Sequence, residues 1–120
     1  MDTPQPGASG SAADRPIEVD LDAFAEAHSA GATVLDVRNP DEYEEGHVPG
    51  AVLLPLGELA GRLGEVPAAD PLYVICAAGG RSLQAARALD GAGYRAVSVS
   101  GGTKAWVASG RPVVEGSDRD

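Results

Sequence analysis

The sequence predicts an α/β fold, a mostly parallel sheet with helices on both faces. Short runs rich in β-branched and apolar residues alternate along the chain with stretches whose apolar residues recur at helical spacing, the pattern of successive β–α–β units. Glycine and proline collect at the seams between those runs, as at Gly46 to Gly50, Pro67 to Pro71 and Gly91 to Gly93. At 120 residues the chain has room for one core. Such a core buries about two thirds of the surface exposed on unfolding, enough to fold without metal or disulfide staples.

Met1 to Arg15 is Pro, Gly, Ser, Ala and Asp with little to bury, and reads as a disordered tail. The domain is expected over residues 16–114, with residues 115–120 as a flexible tail. Ile17 to Val19 reads as a short strand. Asp20 caps a helix whose Leu21, Phe24, Ala25 and His28 share one face, and Gly31 ends it. Thr33 to Val37 has the composition of a buried strand. In the helix start that follows, Asn39 is the cap, Pro40 the first helical residue and Glu42 the partner in a capping box. Gly46 to Gly50 closes that helix and Ala51 to Leu54 is a third strand. Leu56, Leu59, Ala60 and Leu63 outline the next helix, and Pro67 and Pro71 bracket a turn. Leu72 to Ile75 is the most apolar strand and runs into Cys76 and a glycine-containing loop. Ser82 to Leu89 reads as a helix with Leu83, Ala86 and Leu89 inward, stopped by Gly91 and Gly93. Arg95 to Val99 is the last strand, Gly101-Gly102 a turn, and Thr103 to Ala108 a short helix ended by Gly110 and Pro112.

Composition excludes several classes of partner. Nine Lys plus Arg against eighteen Asp plus Glu give a net charge of −9, which argues against nucleic acid or an anionic membrane surface, since both call for basic patches. No apolar run approaches the roughly 18 residues of a membrane span, and Met1 to Arg15 lacks the basic start and apolar centre of a secretory signal. The single cysteine, Cys76, forms no intramolecular disulfide and fits a reducing compartment. A cytoplasmic location is the expectation.

Ligands of open α/β sheets bind outside the carboxyl ends of the strands. Cys76-Ala77-Ala78-Gly79-Gly80-Arg81-Ser82 occupies that place, between a buried strand and a helix. Small residues there let successive N–H groups curl inward as an anion-binding nest, helped by the helix N-terminus. A sulfur at the base of the nest, in the field of those amides and of Arg81, is stabilised as thiolate, the nucleophilic form. Four residues separate Cys76 from Arg81, a C-x4-R spacing.

Cys76-x-x-Gly79-x-Arg81-Ser82 resembles the active-site loop of the rhodanese sulfurtransferases. Asp36-Val37-Arg38, Glu42-Tyr43 and Gly46-His47-Val48-Pro49-Gly50-Ala51 together are similar to the first rhodanese signature. Gly101-Gly102-x-x-x-Trp106, with Gly110-x-Pro112, is similar to the second. The resemblance implies a rhodanese-like, five-stranded, mostly parallel sheet with helices on both faces, and Cys76 as a persulfide carrier. It implies that a sulfane sulfur passes from thiosulfate or a persulfide to Cys76, and from there to a thiol, cyanide or a sulfur-accepting protein. Ala77, Ala78, Gly79, Gly80, Arg81 and Ser82 are then the substrate-binding loop, with the Arg81 fork on an oxyanion of the donor or leaving group. No metal or organic cofactor is implied. The alternative is a non-catalytic or persulfide-carrier module that docks to a partner protein. Phosphatases and arsenate reductases that resemble this fold carry a loop one residue longer, C-x5-R.

The remaining motif residues read as support. Arg38 and Glu42, four apart, suit an ion pair, Asp36 ends a strand near the active edge, and His47 is a turn residue, since a thiolate activated by amides needs no imidazole. Trp106 is the only large aromatic residue on the last helix and reads as a core anchor. The acidic cluster Asp41, Glu42, Glu44 and Glu45 is a solvated helix face with no second ligand cluster to make it a metal site.

Overall fold

The computed structural model describes residues 16–120; the tail expected over Met1 to Arg15 lies outside them. The strands are β1 (Glu18–Val19), β2 (Val34–Asp36), β3 (Val52–Leu53), β4 (Leu72–Ile75) and β5 (Ala96–Val99), and they lie in the order β1-β5-β4-β2-β3 with every neighbouring pair parallel. Helices α1 (Leu21–Ser29), α2 (Pro40–Glu45), α3 (Leu56–Leu59), α4 (Gly80–Gly91) and α5 (Gly102–Ala108) connect or follow them. The expected α/β class with a five-stranded parallel sheet is the one observed.

Period-two alternation in the strands sorts the side chains into two cores. Leu72, Val74 and Cys76 pack with Leu35, Val37 and Ala96 against Leu59 of α3 and Ala85, Ala86 and Leu89 of α4. Ile75 packs with Val34 and Val99 against Phe24 of α1, Tyr43 of α2 and Trp106 of α5. Cys76 therefore continues the parity of Val74, and its sulfur belongs to the α4 side. On the other face Trp106 is closed in by Phe24 and His28, with centroids 5.5 and 5.2 Å away, and its indole N–H donates to Pro112 O at 2.7 Å. His28 Nε2 lies 2.8 Å from Pro49 O.

Several details depart from the sequence expectations. The helix outlined by Leu56 to Leu63 is one α-turn, α3, followed by a 3₁₀ segment over Ala60–Glu65 in which Arg62 has non-helical angles. Gly57, Gly61 and Gly64 fall in this stretch, and each weakens an α-helix by about 1 kcal/mol relative to alanine. Helix α4 turns Ser82, Ala85, Ala86 and Leu89 to the sheet and leaves Leu83 half-buried. Leu83 sits about 100° round the helix from Ser82, so the small residues, not Leu83, set the close packing. Residues 115–120, expected as a flexible tail, are tied to the α2–β3 connection. Val114 forms an antiparallel bridge with His47, Gly116 N–H donates to Glu44 O at 2.8 Å, and Gly50 N–H donates to Arg119 O at 2.7 Å.

The end of β2 holds a buried ion pair. Asp36 is fully buried and Arg38 is 5% exposed. Arg38 donates from Nε to Asp36 Oδ1 at 3.0 Å and from Nη2 to Oδ2 at 2.8 Å, with a further bond from Nη2 to Gly46 O at 3.0 Å. The expected Arg38–Glu42 pair does not form. Asn39 is the N-cap of α2, so Arg38 precedes the helix and the i, i+4 geometry does not apply to it. Removing one partner of a buried pair strands the other charge. Asp36→Ala is expected to lower unfolding free energy by about 3–5 kcal/mol, read from urea denaturation; a loss below 1 kcal/mol would contradict this role for the pair.

Candidate active site

β4 delivers Cys76 to the carboxyl edge of the sheet, and the first turn of α5 fixes the direction of the chain beyond it. Thr103 N–H donates to Cys76 O at 2.8 Å and Lys104 N–H to Ala77 O at 3.0 Å. With those carbonyls turned toward α5, the amides of the same two peptides, Ala77 and Ala78 N–H, face the opposite way, and that of Ala78 is among the amides that favour negative charge on the sulfur. The approach requires Gly102: a Cβ there would lie 2.5 Å from the carbonyl oxygens of both Cys76 and Ala77, and its φ is +61°. Gly79, at φ +112°, then reverses the loop into α4.

Cys76 is 1% exposed. Gly79 N–H donates to its Sγ at 3.0 Å, and Ser82 Oγ lies 3.4 Å from the same atom. Ser82 is fully buried; its hydroxyl donates to Gly79 O at 3.1 Å and shares a 2.7 Å bond with the Ser98 hydroxyl. Burial pushes the Cys76 thiol up, but hydrogen bonds from the Ser82 hydroxyl and from the amides of Ser82, Gly79 and Ala78 outweigh it, and the net effect is below the ordinary thiol value. Of the other loop residues, Ala77 and Arg81 are half-buried, and Ala78 and Gly80 are exposed.

Arg81 does not offer a vacant fork. Its Nη1 and Nη2 donate to Glu42 Oε1 and Oε2, each at 2.8 Å, across 39 residues of sequence. Glu42 Oε1 also accepts from Asn39 N–H at 3.0 Å. The Arg81 hydrogen bonds hold the Glu42 carboxyl at about 2, against an opposing push from burial, and raise Arg81 in turn. Because the Glu42 value is depressed from 4.5, the stabilisation from this half-exposed pair is fully present above pH 4.5 and is lost as pH falls through about 2.

Tyr43, Val48 and Ala51 of the first signature pack on the α1 and α5 face of the sheet, opposite the face that holds Cys76. His47 is fully buried and stacks on Tyr43, with ring centroids 3.6 Å apart; Nδ1 lies 2.8 Å from Tyr43 O and Nε2 2.8 Å from Asp118 O. A groove of about 620 Å³ opens from Ala77 between α2 and α5, with Val107, Ala108 and Val113 along one wall. Among the described residues no group of three or more His, Cys, Asp or Glu is placed to hold a metal ion, and no helix is long and apolar enough to cross a membrane.

Sequence reasoning missed three features here. Ser98 was legible as a polar residue inside the buried run Ala96-Val97-Ser98-Val99, a signal that a hydroxyl partner waits in the core. Gly102 reads as half of a turn in the sequence but is the first residue of α5, and a second glycine directly after Gly101 is the signal of a close approach. The Glu42–Arg81 pair carries no sequence signal, because the two residues lie on different α/β units.

Fold and site define a class of α/β domains that present a cysteine from a strand-to-helix loop. Within it the chain belongs to the family of the rhodanese-like domain, whose profile matches residues 20–109. YrkF of Bacillus subtilis, whose name describes a sulfur carrier, is 39% identical over 92 residues, or 74% of this chain; the chain spans about half the length of that protein, 50%. A sulfurtransferase of Allochromatium vinosum is 32% identical over 100 residues, covering 81% of this chain and 94% of the relative. The crystal structure of a rhodanese-related protein from Thermoplasma volcanium superposes with a TM-score of 0.75 at 34% identity, over 81% of this chain and 96% of that one.

Two outcomes follow from the geometry. Gly102→Ala strains a left-handed position by about 1–3 kcal/mol and drives a methyl into two carbonyls, so both the urea midpoint and the rate of Cys76 alkylation should fall. Ser82→Ala removes a donor to the sulfur, so the pH profile of Cys76 alkylation by iodoacetamide should move to higher pH while the far-UV circular dichroism stays unchanged. A profile that stays in place would exclude Ser82 from thiolate support.

Proposed function

We propose that this protein is a sulfurtransferase that carries a sulfane sulfur as a persulfide on Cys76, taking it from thiosulfate or a related donor and passing it to a thiol or cyanide. The observation that carries this reading is the position of Cys76 Sγ, buried and facing the amides of Ala78, Gly79 and Ser82 with the Ser82 hydroxyl beside it. These groups favour thiolate over thiol, and they need no reorganisation as negative charge moves from Sγ to a second sulfur bonded to it.

With thiosulfate the Cys76 thiolate attacks the outer sulfur. The Sγ–S bond forms, the S–S bond of the donor breaks, and sulfite leaves with the electron pair. In the second half an acceptor thiolate or cyanide attacks the terminal sulfur, and the Cys76 thiolate is regenerated as leaving group. The amide cradle serves both halves, because the charge stays on one of two adjacent sulfurs throughout. The Ala77, Ala78, Gly79, Gly80, Arg81 and Ser82 loop is the binding element in this reading, and Asp36, Arg38, Glu42, His47 and Trp106 hold it in place.

A persulfide-carrier role is favoured by one observation, the similarity to the sulfur carrier YrkF. It differs from the enzyme in the identity of the acceptor, a partner protein instead of a small thiol or cyanide. Phosphoryl chemistry is disfavoured by loop length. The C-x4-R ring is one residue, or about 3.3–3.6 Å of contour, shorter than C-x5-R, which leaves a width suited to one terminal sulfur and not to a tetrahedral phosphoryl group.

Incubation with thiosulfate or an organic persulfide should add the mass of one sulfur to the protein and nothing to Cys76→Ser, read by intact mass. Cys76-dependent hydrolysis of aryl phosphates should be negligible. Absence of any sulfur adduct would sink the persulfide reading, and robust phosphatase activity lost in Cys76→Ser would replace it.

A further inference from the structure

The two classes of sulfur donor differ sharply in the charge they bring to the loop. Thiosulfate is a dianion, so its encounter with the Cys76 thiolate assembles three negative charges. A protonated organic persulfide, R–S–SH, brings the total to one. There the Cys76 thiolate attacks the outer sulfur, the Sγ–S bond forms, the S–S bond of the donor breaks with its electron pair leaving on R–S⁻, and R–S⁻ takes up the proton that the outer sulfur gives up. Stabilising the first encounter calls for cations near the sulfur, while the second is served by neutral amides.

The surroundings of Cys76 supply few cations to an incoming anion. Ala77, Ala78, Gly79 and Gly80 carry no charged side chain. Arg81 is bound at both terminal nitrogens by Glu42, and Arg38 by Asp36 and Gly46 O. The groove that opens from Ala77 is bordered by Arg38 and Lys104 against Glu42, Glu45 and Glu115. Adding the ion-pair partners Arg81 and Asp36 still leaves one carboxylate in excess. The whole chain carries −9, so the distant field opposes anions as well. The same groove offers an organic body something to rest on, since Val107 is 53% exposed on its wall.

We propose that Glu42 is a specificity-determining residue: by occupying the Arg81 fork it turns the site away from dianionic donors and toward low-charge organic persulfides. The inference rests on the persulfide reading of Cys76 and names the donor class for it. Glu42 acts here through electrostatics at the mouth of the loop, in addition to its hydrogen bond to Asn39 N–H.

The test uses the full chain and two probes, thiosulfate and 2-hydroxyethyl persulfide, the latter at a pH where it stays protonated. Second-order rate constants for sulfur addition to Cys76 are read by intact mass. In wild-type protein the thiosulfate rate should rise with added sodium chloride, because like charges are being screened, while the persulfide rate stays flat. Glu42→Gln retains the capping-box hydrogen bond and releases the guanidinium, so the thiosulfate-to-persulfide rate ratio should rise about fivefold or more. A wild-type thiosulfate rate that falls with salt, or a ratio unmoved in a folded Glu42→Gln, overturns the donor selection and leaves the persulfide reading standing. If Glu42→Gln does not fold, the salt dependence of the wild type decides alone. If neither probe adds sulfur to Cys76, the persulfide reading fails and the inference falls with it.

Discussion

The close approach of the first turn of α5 to the exit of β4 is the constraint on which the site depends. A parallel strand leaves its last carbonyls and amides without ladder partners where it runs beyond its neighbours, and buried backbone groups must find partners elsewhere. Here Thr103 and Lys104 N–H take the Cys76 and Ala77 carbonyls. Once those carbonyls are committed to one side, peptide planarity commits the next amides to the other. Satisfying the two carbonyls thus orients the Ala78 amide, the left-handed turn at Gly79 and the start of α4 bring in the amides of Gly79 and Ser82, and the cradle around Sγ exists before any substrate arrives. The absence of a side chain at Gly102 is what permits the contact, which links a glycine near the C-terminal helix to the chemistry of a cysteine 26 residues earlier.

Charge is handled locally against an acidic background. The chain carries twice as many acidic as basic residues, yet both arginines near the site are neutralised at close range, Arg38 by Asp36 and Arg81 by Glu42. The two pairs differ in kind. Asp36–Arg38 is buried, which gives it a large cost of disruption and makes it part of the framework joining β2 to the Gly46 turn. Glu42–Arg81 is half-exposed, contributes little to stability, and lies at the mouth of the loop where its charge state matters to whatever enters. The stabilising role and the selectivity proposed above therefore fall to different pairs, although the two acids lie six residues apart.

Much of this was legible in the sequence for identifiable reasons. The strands announced themselves because both faces of a central parallel strand are buried, so Leu72 to Ile75 is an unbroken apolar run. The α1 and α2 starts were readable from Asp20 and from Asn39-Pro40-Asp41-Glu42, where capping chemistry is local in sequence. The Cys76 loop was readable because Cys76-x-x-Gly79-x-Arg81-Ser82 resembles the rhodanese loop; small residues between a strand and a helix would by themselves serve an ordinary turn equally well. What was not legible is what depends on distance in space. Arg81 and Glu42 meet only because β2 and β4 are neighbours, and Ser82 and Ser98 only because parity in β5 matches the inner face of α4. Leu83 was misassigned because helix periodicity names a hydrophobic stripe but cannot tell that the sheet prefers the smaller one, Ala85 and Ala86, for close approach.

The two buried serines explain how one rigid cradle can satisfy both the thiol and the thiolate form of Cys76. Ser82 has one proton and three acceptors within reach: Gly79 O, Ser98 Oγ and Cys76 Sγ. When Cys76 is a thiol, S–H donates to Ser82 Oγ and the Ser82 proton turns to Gly79 O. When Cys76 is a thiolate, the Ser82 proton turns to sulfur, and the lone pairs it leaves are met by the Ser98 hydroxyl. Each state is satisfied by rotating hydroxyl hydrogens, with no movement of heavy atoms. The amide of Gly79 cannot make that adjustment, since its N–H is fixed by the backbone and always points at the sulfur. Fixed amides favour the anion, and rotatable hydroxyls keep the neutral thiol from leaving a buried polar group unpaired. That division lets the cradle be preorganised for negative charge while the resting protein still folds around an uncharged cysteine.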